Sequence, residues 1–250
     1  MADLGTLVIL AAFVAAVYGA VTAIVGHRTR SISMRTSSLR AVVATAILIS
    51  IAVAALIIAF VTRDFSLRYV AERSSRAMDL PLTVAAFYSG QAGSLLYWTW
   101  TLSILSAIVV FQNRRQLTDL MPYVQAVLLG IQVFLLFMLG FISSPFERLS
   151  FVPADGLGLN PLLDDYGMLI HPPMLLAGYM SWAVPFAFVI AALIYNVALG
   201  VINRAMPQLM VAMIGAPALT AGGLILLMLA APAILSAWVR HLGGVLQMPF

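Results

Sequence analysis

The sequence predicts an all-α, polytopic helical membrane protein with about six transmembrane helices, and three observations carry that prediction. First, 63% of the 250 residues are hydrophobic and 9% are charged, with a mean hydropathy of +1.05, more apolar surface than one water-soluble core can hide. Second, the charged residues gather in loops between uncharged runs. Third, those runs reach the roughly 20 residues that a helix needs to cross a hydrocarbon core about 30 Å thick.

The spans fall near 5–26, 41–61, 90–111, 122–142, 174–199 and 209–237. Acidic Asp3, not a basic start, precedes the first run, so this run reads as a retained span and not as a cleaved signal. Pro122 suits a first helical turn, Pro145 follows the fourth span, and Pro172 and Pro173 precede the fifth, because proline lacks a donor and fixes its own φ. Pro185 falls inside the fifth span and predicts a kink. Pro217, Gly222, Gly223 and Pro232 interrupt the last run, which reads either as one crossing or as two half-helices.

Charge orients these spans. All 13 basic residues are arginine, against 9 acids. In a soluble protein this balance suggests nucleic acid; between apolar runs it orients a chain in a bilayer. Arg28, Arg30, Arg35 and Arg40 share the first inter-span loop with no acid, and Arg114 and Arg115 oppose only Asp119 in the third. These loops are expected on the cytoplasmic side of the inner membrane. The loop at 62–89 balances its arginines with Asp64, Glu72 and Asp79, and the loop at 143–173 sets Glu147, Asp155, Asp164 and Asp165 against Arg148. Both are expected outside, as is the amino terminus. No charge pair falls within a span, which disfavours an ion transporter, and the absence of cysteine removes thiolate chemistry.

The two outer loops hold most of the non-generic sequence. The first leads into Phe87-Tyr88-Ser89-Gly90-Gln91-Ala92-Gly93-Ser94-Leu95-Leu96-Tyr97-Trp98, which composition alone reads as an interfacial aromatic belt with glycines for close helix contact. The second carries Ser144 to Leu149, then Asn160-Pro161 before Asp164 and Asp165, then His171-Pro172-Pro173 leading to Tyr179. Asn-Pro signals a turn, and His-Pro-Pro sets an imidazole just before a helix. Such an imidazole suits a haem axial ligand, but the plainer reading of a lone histidine is a hydrogen bond to a carboxylate such as Asp164 or Asp165, or a cap on the loop. His27 beside Arg28 reads as a headgroup or solvent contact, and His241 as a carboxyl-terminal surface residue.

Five blocks in order, Asp64 to Ala71, Gly90 to Trp98, Ser144 to Leu149, Leu159 to Asp165 and His171 to Tyr179, resemble the amino-terminal half of cytochrome c maturation factor F, the haem lyase subunit. The resemblance covers residues 1 to about 196. It divides the chain into a haem-lyase-like region at 1–200, with its two outer loops, and an additional segment at 201–250 of unrecognised origin.

The resemblance implies a membrane machine that takes haem from a haem chaperone and helps attach it to apocytochrome c on the outer face, with other haem lyase subunits as partners and no nucleic acid. By resemblance, His171 is a candidate haem axial ligand, binding the metal through the haem iron. Arg148, with Arg68, Arg73 and Arg76, is a candidate contact for the propionates. Gly90, Gly93, Ser94, Trp98, Asn160, Pro161, Pro172, Pro173 and Tyr179 carry the matched motifs.

Departures accompany the match. The glycine block of the family usually has Trp before its first glycine and an acid before its second, where this chain has Tyr88 (with Ser89 between) and Ala92. The family's tryptophan-rich outer motif ending in Trp-Asp-Pro, and its further histidines, have no counterpart. Two readings follow: the amino-terminal part of a split haem lyase, holding little haem alone, or a non-catalytic structural or assembly subunit derived from one.

Overall fold

The computed structural model describes residues 1–113, 117–160 and 167–205. Among them run α1 (Ala2–Arg28), α2 (Ile32–Val61), α3 (Arg68–Arg73), α4 (Leu80–Ala85), α5 (Gln91–Asn113), α6 (Met121–Phe137) and α7 (Gly167–Ala205), with a 3₁₀ turn at Ala86–Tyr88 and a π turn at Met138–Ile142 extending α6. The all-helical expectation holds among these residues. Five stretches are long and apolar enough to cross a membrane: Ala2–Arg28, Ile32–Val61, Gln91–Asn113, Met121–Ile142 and Leu169–Val201. The sixth expected span near 209–237, and with it His241, lies outside the described residues, as do Arg114, Arg115 and Pro161.

Two boundaries differ from the sequence reading. The second helix begins at Ile32, nine residues before the expected start near 41, because the Ser31 side chain caps it by accepting from the Met34 amide at 3.4 Å. The fifth begins at Gly167, so His171, Pro172 and Pro173 lie inside the helix and not before it. Pro122 does occupy the first turn of α6. At the ends of α1 and α2, Arg30 and Arg63 both adopt φ of 54°. There the amides of Ser31 and Asp64 reach back to the carbonyls of Gly26 and Ala59 at 3.0 and 2.9 Å, satisfying acceptors that the last turn leaves open.

The chain divides into two compact units, Met1–Ala191 and Ala192 onward, the boundary falling within α7. In the first unit α1 packs against α2 and α6, α2 against α5, and α5 against α6. Small residues permit the close approach: Ala12, Ala16, Gly19 and Ala23 line the buried side of α1, and a methyl on Gly19 would sit 2.8 Å from Leu129 and 2.9 Å from Ala41. Polar side chains bind the helices within this apolar core. The Ser38 hydroxyl lies 2.9 Å from the Gly19 carbonyl and 3.1 Å from Gln125 Oε1; Gln132 donates to Ser106 and Trp100 donates to Ser50 at 2.9 and 3.0 Å.

The α1–α2 junction gives the bundle a basic end, and the two long loops meet at the other, the loop end. At the basic end His27, expected to face headgroups or solvent, instead has protein partners: its Nδ1 is 3.1 Å from an Arg35 guanidinium nitrogen and its ring packs edge-on against Tyr123. The longer α2, which carries Arg35, accounts for the difference.

Candidate functional site

The loops that held the matched blocks fold into one cap. Backbone pairing joins them at an antiparallel bridge between Leu67 and Arg148, with Arg68 N donating to Glu147 O and Leu149 N to Ser66 O, both at 2.9 Å. Farther along, Leu157 N donates to Ala71 O at 2.8 Å, Gly158 N to Ser74 O at 3.1 Å, and Arg76 N to the Asp155 carboxylate at 2.8 Å. These amides, from Arg76 and Gly156, hold the Asp155 carboxyl below its ordinary pKa. A methyl at Gly156 would overlap the Ser74 carbonyl, so only glycine permits this crossing. Phe146, 2% exposed, plugs the cap against Gly5 of α1.

Tyr69 ties the first block to the glycine block. Its hydroxyl donates to the Phe87 carbonyl and accepts from the Gly90 amide, each at 3.0 Å. Burial raises its pKa to about 12 despite the hydrogen bond from the Gly90 amide and nearby Arg73. Gly93 sits so close beneath this turn that a methyl there would overlap the Phe87 carbonyl and lie 2.5 Å from the Tyr69 hydroxyl. Ser94 closes the turn by donating to the Tyr88 carbonyl at 2.8 Å. Trp98, one helical turn on, keeps its indole N–H buried with no acceptor among the described residues.

Tyr88 ties the glycine block to the helix that carries His171. Its hydroxyl donates to the Leu169 carbonyl at 3.0 Å. In a regular helix that carbonyl would accept from the amide four residues on, but Pro173 stands there and has no N–H. The tyrosine therefore supplies the donor that Pro173 lacks. Burial and Tyr97 raise the pKa of Tyr88, keeping it protonated as the donor. The roles of Tyr69 and Tyr88 were not read from the sequence; the only hint was a tyrosine within or beside each matched block.

His171 is exposed on α7. One face of the helix continues from it through Met174, Gly178, Trp182, Phe186 and Val189, with Met174 70%, Trp182 73% and Phe186 61% exposed, and Tyr179 stands beside this face at 57%. Only 11% of the most apolar stretch of α7 is buried, against 33–44% in the four bundle spans. The imidazole thus lies in an open apolar surface, which suits the edge of a flat apolar macrocycle.

The expected propionate contacts are largely engaged. Arg148 pairs with Asp3 at 2.6 Å and Arg68 with Glu147 at 2.8 Å, though both pairs are exposed and therefore readily exchanged. Arg73 differs: its Nε is buried without a partner among the described residues, and it lines a polar crevice of about 210 Å³ with Arg68, Glu72, Gln91, Ser143 and Glu147. Asn160 ends a described loop segment, while Pro161 lies outside it.

A bundle of membrane-crossing helices capped by interlocked loops, with an imidazole on an exposed apolar face of α7, defines a membrane protein with its distinctive chemistry concentrated at one end. The chain belongs to the family of cytochrome c assembly proteins, whose model matches residues 88–241. It is 38% identical over 151 residues to the cytochrome c-type biogenesis protein NrfE of Haemophilus influenzae, covering 59% of this chain and 23% of that protein. It is 41% identical over 141 residues to CcmF of Escherichia coli, covering 56% and 22%, and 33% identical over 192 residues to CycK of Rhizobium meliloti, covering 77% and 28%. Among solved structures it is similar to a cytochrome c haem lyase CcmF, with a TM-score of 0.65 and 26% identity, covering 78% of this chain and 31% of that one. The matches therefore span less than a third of the length of these relatives.

Proposed function

We propose that this chain is the amino-terminal part of a split cytochrome c haem lyase, working in the inner membrane with its loop end outside. It helps to position haem for covalent attachment to apocytochrome c. The observation that carries this reading is His171 on the open face of α7, continuous with the cap built from the matched motifs. Support for a further lyase segment seated there comes from that same face: Met174, Tyr179, Trp182 and Phe186 stand exposed, and a methyl on Gly178 would meet nothing within 4 Å. Such a segment would bring the tryptophan-rich platform and a second histidine.

Haem, here the substrate, brings an iron that accepts an imidazole and a ring that prefers apolar walls. His171 supplies the imidazole, and Ile170, Met174 and Leu175 supply apolar surface around it. Tyr88 fixes the helical turn from which the imidazole projects, through Leu169 two residues earlier. Arg73, with an unsatisfied buried Nε, is the propionate contact, with Arg148 and Arg68 exchanging their carboxylate partners as alternatives. A haem chaperone, apocytochrome c and the other lyase subunits are the partners. The amino terminus faces outward in this arrangement.

The experiment is His171→Ala in a strain that depends on this chain. Cytochrome c maturation falls sharply at unchanged protein level, and His171→Gly with added imidazole recovers part of it. Asn160→Ala, which disturbs the Asn-Pro turn, does not respond to imidazole. Normal maturation in the His171→Ala strain would favour a structural subunit that kept the family's architecture without its chemistry. Stoichiometric haem with two histidine ligands in the pure chain would contradict the split arrangement, since one axial ligand without a platform retains haem poorly.

A further inference from the structure

We propose that the groove between α2 and α5 at the basic end binds an anionic phospholipid, its phosphate at Arg40 and one acyl chain along the groove. The groove is a cavity of about 480 Å³ walled by Leu39, Val43 and Ile47 of α2 and by Ala107, Val110 and Phe111 of α5, with Arg40 in its lining. Its lining residues on α2 begin at Thr36 and end at Ile47. With the phosphate at Arg40, the acyl chain has the stretch from Arg40 to Ile47, about 10 Å at 1.5 Å per residue, so the groove lies within one leaflet, which is roughly half of a 30 Å hydrocarbon core. A second transmembrane helix would need a seat along the whole span.

Charge selects the headgroup. No acid lines the groove, and Arg40 is exposed with no hydrogen bond or ion pair to a described residue. Arg35, one turn earlier, is committed to the Gly26 carbonyl and His27. At the loop end, by contrast, Arg68 and Arg148 are neutralised by Glu147 and Asp3. An arginine with no counter-ion among the described residues, at the mouth of an apolar groove between helices, matches a lipid phosphate above an acyl chain.

The test uses the full chain in phosphatidylcholine bilayers with trace phosphatidylglycerol or phosphatidylcholine spin-labelled on the acyl chain, and reads the motionally restricted fraction. The expected result is about fivefold preference for phosphatidylglycerol, the effect of one basic residue at a membrane surface. Arg40→Gln abolishes the preference, whereas Arg76→Gln at the loop end preserves it. Ala44→Phe and Ala107→Phe, which fill the groove, remove the preference as well; if either fails to fold, Arg40→Gln decides alone. Equal restriction of the two lipids, or a preference that survives Arg40→Gln, overturns the proposal. So does a cross-link in the bilayer from Ala44→Cys, labelled with a photoactivatable maleimide, to residues 209–237 or to a second copy of the chain.

Discussion

The four-helix bundle and α7 are built from the same residue types, yet they use them differently. In the bundle, Gly19 lies against Leu129 and Ala41, and the hydroxyl of Ser38 is buried between Gly19 and Gln125. On α7, Gly178 faces open space, and Trp182, Tyr179 and Met174 stand exposed. Small residues and aromatics that are internally consumed hold a fold together; the same residues left open beside a histidine point to assembly and function.

Substitution with a single methyl separates the two regions most strongly. Gly93→Ala drives a methyl into the Phe87 carbonyl and the Tyr69 hydroxyl, and is expected to destabilise the bundle by about 3 kcal/mol or more, read by thermal unfolding in detergent. A melt within 1 °C of the parent would show that the glycine turn is not tightly packed. The effect of pH is expected to come next. Tyr69 has a folded pKa of about 12 against an ordinary 10.0, so its contribution is fully present below pH 10 and is lost as pH rises toward 12. Two pH units correspond to about 3 kcal/mol at most. Unfolding of the parent chain should steepen over that window, and the additional slope should be missing in Tyr69→Phe; equal slopes would mean that the phenol is not held by the cap.

Tyr88→Phe should cost about 1 kcal/mol, the net value of one hydrogen bond, confined to the beginning of α7. Amide exchange should quicken around Leu169 while α1, α2 and α6 retain their protection, and uniform change would place Tyr88 within the bundle. The smallest effect is expected at Gly178→Ala, which in an exposed helix should add up to about 1 kcal/mol of stability to the isolated chain. The same change should weaken cytochrome c maturation if another helix packs there. Stability gained with maturation intact would make that face a lipid surface.

The four bundle spans were legible because charge-free runs of spanning length leave little alternative, and Pro122 and the arginine loops marked their ends. The start of α2 was hidden by Arg35 and Arg40, which break the apolar run without breaking the helix. His171 was legible as a residue but misplaced in structure: two prolines ordinarily precede a helix, and the donor that replaces the missing Pro173 amide comes from Tyr88, 81 positions away from Leu169. The joining of Ser66 and Arg68 to Glu147 and Leu149 was equally hidden, since local turn chemistry does not specify which distant loop completes it.

The central claim, that the open face of α7 seats another part of the lyase, is tested most directly by placing a photoreactive residue at Trp182 and, separately, at Phe134, which is 63% exposed on the bundle. After irradiation in native membranes, position 182 should give an adduct to a polypeptide segment containing the tryptophan-rich outer motif, and position 134 should give lipid adducts alone. Lipid adducts alone at both positions would contradict the account.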